Sequence, residues 1–171
     1  IEDKVGLKRN SLFKNQKGVM QDSIKNFTEK IATAKKIKKV EELFIVARIE
    51  SLILKKGIKD AIKRAEAYSE AGADAILIHS KKNSPNEIFD FAKLFLKSKF
   101  HKPLIAIPST YSVVKENILA KNGIRIVIYA NQLLRASYPA MYNTAKKILR
   151  YKRAKEAEKN ITSIDNIINL I

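Results

Sequence analysis

Two sets of residues in this 171-residue chain could do chemistry. The first is the opening stretch, Ile1-Glu2-Asp3-Lys4-Val5-Gly6-Leu7-Lys8-Arg9-Asn10-Ser11. Two carboxylates lead, three cations follow, and an amide and a hydroxyl close it. These types suit a loop that closes over an anion: Gly6 supplies flexibility, Lys8 and Arg9 charge, Asn10 and Ser11 hydrogen bonds. Ile1 reads as the last residue of a buried strand whose beginning is missing, which sets Glu2 and Asp3 at that strand's carboxyl end. A frayed, charged terminus has the same composition. The second set interrupts apolar runs: Arg48 and Glu50, His79 and Ser80, Ser109 and Thr110, and Asn131.

The elements that must position these residues alternate. Leu43–Ala47, Ala75–Ile78, Pro103–Ile107 and Ile124–Tyr129 are short apolar runs rich in branched residues, which predicts strands buried on both faces. Helices are expected from Asp22 or Ser23, over 58–71, from Ser84, near 112–121, from 131 into the 150s, and from Ile164 to Ile171. Ile24, Phe27, Ile31 and Ala34 mark the first apolar stripe; Ile58, Ala61, Ile62, Ala65 and Tyr68 mark the second. Ser84-Pro85-Asn86-Glu87 has the form of a capping box with proline at the first helical position, before a face of Ile88, Phe91, Leu94 and Phe95. Gly72 and Gly123 read as helix-ending caps. Residues 12–21 read as a polar loop.

Four strand–helix alternations imply parallel strands with right-handed crossovers. Each strand turns polar at its carboxyl end, and in parallel α/β architectures the loops there form the active face. A satisfied loop group explains any one such residue; four strands ending alike point to a site. Two architectures fit: the second half of a (βα)8 barrel, or a complete doubly wound sheet. No glycine-rich phosphate fingerprint supports the sheet. A barrel takes about 250 residues, so in that case this chain is a fragment.

Composition narrows the function. Hydrophobic residues make up 46% and charged residues 30%, a globular balance. No apolar run approaches the ~18–20 residues of a membrane span, and the acidic start is unlike a signal peptide. The chain has no cysteine, hence no thiolate nucleophile and no disulfide; a reducing cytoplasm is the expected location. The net charge of +17 raises the question of nucleic acid. However, the densest clusters, Lys35–Lys39 and Lys146–Arg153, lack interleaved stacking aromatics, so solvated helix faces are the expectation. A basic nucleic-acid-binding module remains the reading of a different class.

Glu2-Asp3-Lys4 followed by Lys8-x-Asn10-Ser11 resembles the gating-loop motif of the phosphoenolpyruvate mutase/isocitrate lyase superfamily of (βα)8 barrels. The likeness continues through Ile45–Glu50, Arg64–Tyr68, Ala71–Lys81 and Ala130-Asn131-x-Leu133-Leu134-Arg135-Ala136-Ser137. It implies a partial barrel over 1–160 with a gating loop at 4–15. It also implies a C-terminal helix over 161–171, exchanged between subunits of a homo-oligomeric full-length parent.

The resemblance further implies a small anionic substrate and the interconversion of phosphoenolpyruvate and phosphonopyruvate, which makes a carbon–phosphorus bond. In that family Mg²⁺ holds the enolate oxygens. Glu2 matches a carboxylate that reaches the metal through water. Arg48 and His79 match residues that bind the phosphoryl and carboxylate groups. Asn10 and Ser11 would grip the migrating group, and Lys8 would close with the loop. Carbon–carbon lyases of the superfamily carry cysteine where Asn10 stands, and phosphonopyruvate hydrolases typically threonine, so Asn10 favours the mutase. Val5-Gly6-Leu7 departs from the family's aromatic-proline step, Tyr129 stands where mutases often have tryptophan, as in the hydrolases, and Gln132 stands where histidine is common. The family's aspartate metal ligands precede Ile1, so the isolated chain is expected to be inactive; a noncatalytic fragment is the further alternative.

Overall fold

The computed structural model describes residues 1–6, 9–13, 17–37 and 43–170. These form two compact units, Ile1–Tyr129 and Ala130–Ile171. In the first, β3 (Val46–Ile49), β4 (Ala75–Ile78), β5 (Leu104–Ala106) and β6 (Ile124–Val127) make one parallel sheet in chain order. Helices α2 (Gly57–Glu70), α3 (Asn86–Phe95) and α4 (Glu116–Lys121) are the crossovers, and α1 (Ile24–Ile37) precedes β3.

The period of two along each strand sorts side chains to opposite faces. Ala47, Ile49, Ile76, Ile78, Leu104 and Ala106 bury against the helices. There they meet Phe27 and Ile31 of α1, Ala61, Ala65 and Tyr68 of α2, and Ile88, Phe91 and Phe95 of α3. Burying each Phe or Ile side chain stabilises the fold by roughly 1.5–3 kcal/mol. Val46, Ala75, Leu77, Ile105 and Ile107 form a second, smaller apolar cluster, alternating in sequence with the first set. The glycine caps stand as expected: Gly72 has φ +107° and Gly123 φ +87°. A Cβ on Gly123 would lie 2.2 Å from Leu96 Cδ1, so this position needs glycine for space as well.

Several boundaries differ from the sequence reading. The first strand of the sheet runs over 46–49, not 43–47; Leu43 and Phe44 are half exposed. Its ladder with β4 begins at Val46, and residues 1–3 pair along its other edge: Arg48 N–H donates to the Ile1 carbonyl (2.8 Å), and Asp3 N–H donates to the Arg48 carbonyl (3.0 Å). Glu2 and Arg48 form a parallel bridge, which sets the opening residues alongside β3; the Ile1 side chain is exposed, not buried as expected. Part of the expected loop 12–21 is strand: β2 (Val19–Gln21) pairs antiparallel with β1 (Lys4–Gly6). Val19-Met20-Gln21 is too short a run to carry a periodicity that would announce this. At α3, Ser84 Oγ accepts from Asn86 N–H (3.3 Å), but Glu87 turns to Ser80 and Lys82, so the reciprocal capping box does not close. Leu94 faces outward at 50% exposure.

The second unit contains α5 (Gln132–Tyr151), α6 (Lys155–Glu158) and α7 (Ile164–Ile168). No residue of α5 is buried. Ser163 Oγ caps α7 by accepting from Asn166 N–H (3.2 Å). No helix among the described residues is long and apolar enough to cross a membrane.

Candidate functional site

Arg48 follows Val46 by two residues and His79 follows Leu77 by two. Strand alternation therefore aims both toward the face of the smaller apolar cluster, at the carboxyl ends of β3 and β4. The opening segment meets them there. The Ser11 hydroxyl is buried and uses its full capacity. It accepts from Lys4 Nζ (3.0 Å) and Arg48 Nη2 (2.7 Å), and it donates to Glu50 Oε2 (2.6 Å).

Glu50 is fully buried. Its Oε1 accepts from Arg48 Nε (2.8 Å), and Lys4 Nζ lies 3.1 Å from its Oε2. Burial pushes the Glu50 carboxyl up, but Arg48, Ser11 and Lys4 together outweigh that and hold it below the usual range. His79 is 3% exposed. Burial first, then the Arg48 charge, pushes its imidazole down to about 4, so it is neutral at physiological pH. Its Nδ1 is buried with no hydrogen-bond partner. The part-exposed Arg48 guanidinium can receive an anion, and a neutral imidazole in its field adds no competing charge.

The segment 9–13 is held by cations. Lys4 Nζ donates to the Arg9 carbonyl (3.0 Å), and Lys81 Nζ donates to the Phe13 carbonyl (2.7 Å). Asn10 lies beside Ser11 but is exposed, and its Oδ1 accepts from Leu12 N–H (2.9 Å), a local turn. Lys8 lies outside the described residues.

Of the strand-end residues, Ser80 Oγ donates to Glu87 and Thr110 Oγ1 donates to the Ser80 carbonyl (3.1 Å); both are engaged in loop structure. Asn131 belongs to the second unit. Thus Glu2, Ser11, Arg48 and His79 gather around one cluster. The sequence reading counted Lys4 and Glu50 among the residues that could do chemistry but gave neither a role, although they link the cluster. Lys4 lies two residues after Glu2 and Glu50 two after Arg48; that spacing was the available signal.

Behind this cluster, Asp3 points the other way and is fully buried. Its carboxylate accepts from Glu50 N–H (2.9 Å), Gln21 Nε2 (2.8 Å), Tyr68 Oη (2.8 Å) and Arg64 Nη1 (3.3 Å). Arg64 also donates to Asp60 (3.0 Å), its partner one helical turn earlier. This network fixes the opening residues and β3 against α2.

The described residues do not by themselves fit a Mg²⁺ shell, which takes oxygen ligands in octahedral array. No group of three or more His, Cys, Asp or Glu side chains converges among them. Asp3 and Glu50 are engaged by cations and hydrogen bonds. Glu2 Oε1 lies 3.0 Å from Lys4 Nζ without hydrogen-bond geometry and is otherwise buried and unpartnered.

Parallel strands in chain order, helical crossovers and charged side chains gathered at the strands' carboxyl ends define an α/β-barrel-type unit. The model of the phosphoenolpyruvate phosphomutase family matches residues 1–149, and the chain belongs to that family. It corresponds to the C-terminal portion, the second half of the (βα)8 barrel. It is 36% identical over 170 residues to the phosphoenolpyruvate phosphomutase of Tetrahymena pyriformis, covering 99% of this chain and 55% of that relative. The crystal structure of phosphoenolpyruvate phosphomutase from Streptomyces platensis subsp. rosaceus superposes with TM-score 0.88 at 34% identity, over 99% of this chain and 57% of that one. A phosphonopyruvate hydrolase structure in complex with oxalate and Mg⁺⁺ gives TM-score 0.82 at the same 34% identity, covering 99% and 56%. The chain therefore spans little more than half the length of these proteins.

Proposed function

We propose that this chain supplies the second-half portion of a site that interconverts phosphoenolpyruvate and phosphonopyruvate, and that it does not turn over alone. The observation that carries the reading is the Arg48 guanidinium, 25% exposed and bonded to Ser11 at the carboxyl end of β3, with the buried, neutral His79 in its field. In the reaction the oxygen–phosphorus bond breaks and a carbon–phosphorus bond forms at the methylene carbon, with no water consumed and no redox change. Such a transfer needs positioning and charge stabilisation. Arg48 would hold the phosphoryl oxygens through its planar fork. His79 would orient the anion by hydrogen bonding without adding charge. Ser11 and Asn10 would contact the migrating group, and Lys8 would help the loop exclude water.

Mg²⁺ belongs to this reading, with its inner ligands supplied from outside this chain and Glu2 reaching it through water. The reading also places a homo-oligomeric parent in the cytoplasm.

Overall identity does not separate mutase from hydrolase, since both solved relatives stand at 34%. Asn10 favours the mutase by resemblance, while Tyr129 keeps the hydrolase as the second reading. The test is ³¹P NMR of phosphonopyruvate with Mg²⁺ and this chain, alone and combined with the N-terminal portion of the Tetrahymena relative. Phosphoenolpyruvate from the combination alone is the expected result. Pyruvate and inorganic phosphate would identify the hydrolase. No conversion by the refolded combination, or turnover by the chain alone, would refute the corresponding part.

A further inference from the structure

The edge of the Arg48 guanidinium best shaped for an anion is already filled. Nε and Nη2 form the side that grips two oxygens at once. Here Nε donates to Glu50 Oε1 (2.8 Å) and Nη2 to Ser11 Oγ (2.7 Å). Ser11 Oγ is saturated, because its single proton goes to Glu50 Oε2 (2.6 Å). Glu50 is inaccessible to solvent, whereas the Arg48 side chain is 25% exposed, so an incoming anion can reach the cation but not its partner.

We propose that the Glu50 carboxylate is an internal occupant of the anion site, and that a phosphonate binds at Arg48 and Ser11 by displacing it. Lys4 Nζ lies 3.1 Å from Glu50 Oε2, so a carboxylate that leaves Arg48 has a second cation beside it and is not left buried and alone. Lys4 therefore serves as the counter-cation that makes the exchange feasible, and Glu50 is a positioning residue that sets affinity. A ligand too weakly charged to compete with a buried carboxylate is rejected, which makes Glu50 a filter for doubly charged phosphonates. This inference rests on the reading above only for placing a phosphonate at Arg48.

Methylphosphonate binding to the full chain, measured by calorimetry, tests it without any turnover. Glu50→Gln is expected to bind at least tenfold tighter than the unaltered chain. In the Arg48→Ala background the same change should alter affinity less than threefold, because the edge it frees is gone. Binding by Glu50→Gln alone, with none by the unaltered chain, is the same result in stronger form. Equal or weaker binding by Glu50→Gln, a gain that persists without Arg48, or no binding by either chain overturns the proposal.

Should Glu50→Gln fail to fold, NMR of the unaltered chain decides. On saturation with methylphosphonate the Glu50 carboxyl carbon and the Arg48 Nε–H resonances should shift together; an unmoved Glu50 signal overturns it. A chain that passes these tests yet never interconverts the two acids upholds the displacement and sinks only the mutase reading.

Discussion

Two buried polar clusters lie back to back across residues 2–4 and 48–51, and they are finished differently. The one around Asp3 engages every charged group: Asp3, Arg64 and Asp60 are tied together with Tyr68, Gln21 and Ser51. The one around Arg48 leaves an imidazole nitrogen open and a charged group, Glu2, with one oxygen lacking a hydrogen bond; around Asp3 only the neutral Gln21 Oε1 is left so. The division follows from strand alternation. Glu2 and Lys4 contact the site, while Asp3 between them faces α2. The difference teaches that burial and charge alone do not mark a site. The candidate site differs in that its guanidinium, Arg48, is a quarter exposed, whereas the Arg64 guanidinium of the other cluster is buried.

That contrast can be broken by substitution. Asp3→Ala should have the largest effect on stability. It leaves Arg64 with Asp60 as its one carboxylate partner and takes the acceptor from the Tyr68 hydroxyl and the Glu50 N–H, costing about 3 kcal/mol in urea unfolding. A loss below about 1 kcal/mol would show that the Asp3 cluster is not structural.

The next effect is a pH dependence. His79 titrates near 6.5 when unfolded and about 4 when folded. As pH falls from 6.5 toward 4, the unfolded chain takes up a proton that the folded chain refuses, so stability falls, by about 3 kcal/mol in all. Below about 4 this contribution levels off. Comparing the unfolding free energies of the native chain and His79→Asn across that window isolates it; parallel curves would show that His79 is not held neutral.

On the site side, Arg48→Ala should weaken methylphosphonate binding at least tenfold, a loss of about 1.4 kcal/mol or more. Its melting temperature should fall less than that of Asp3→Ala. The reverse ranking would exchange the roles assigned to the two clusters.

The smallest effect sharpens the definition of an open partner. Tyr111 is fully buried, its hydroxyl has no partner, and burial pushes its phenol up to about 12. Tyr111→Phe keeps the ring and removes the orphan, so stability should hold or rise by up to about 1 kcal/mol. Methylphosphonate affinity should not change. A drop in affinity would add Tyr111 to the site.

The sequence by itself determined the alternation of strands and helices, the apolar faces and the glycine caps. Hydrophobic spacing and backbone preference are local properties, legible at Phe27–Ile31 or Ala75–Ile78 without knowledge of the rest. It also supplied four of the gathered residues, Glu2, Ser11, Arg48 and His79, because their types and motif spacing are written along the chain. Only the tertiary structure decided the partners. The bridge between Glu2 and Arg48 joins residues far apart in sequence, and with it go the link from Ser11 to Glu50 and the turning of Asp3 toward Arg64. A pairing of that kind depends on which strand edges meet and in what register, and local periodicity holds no record of either.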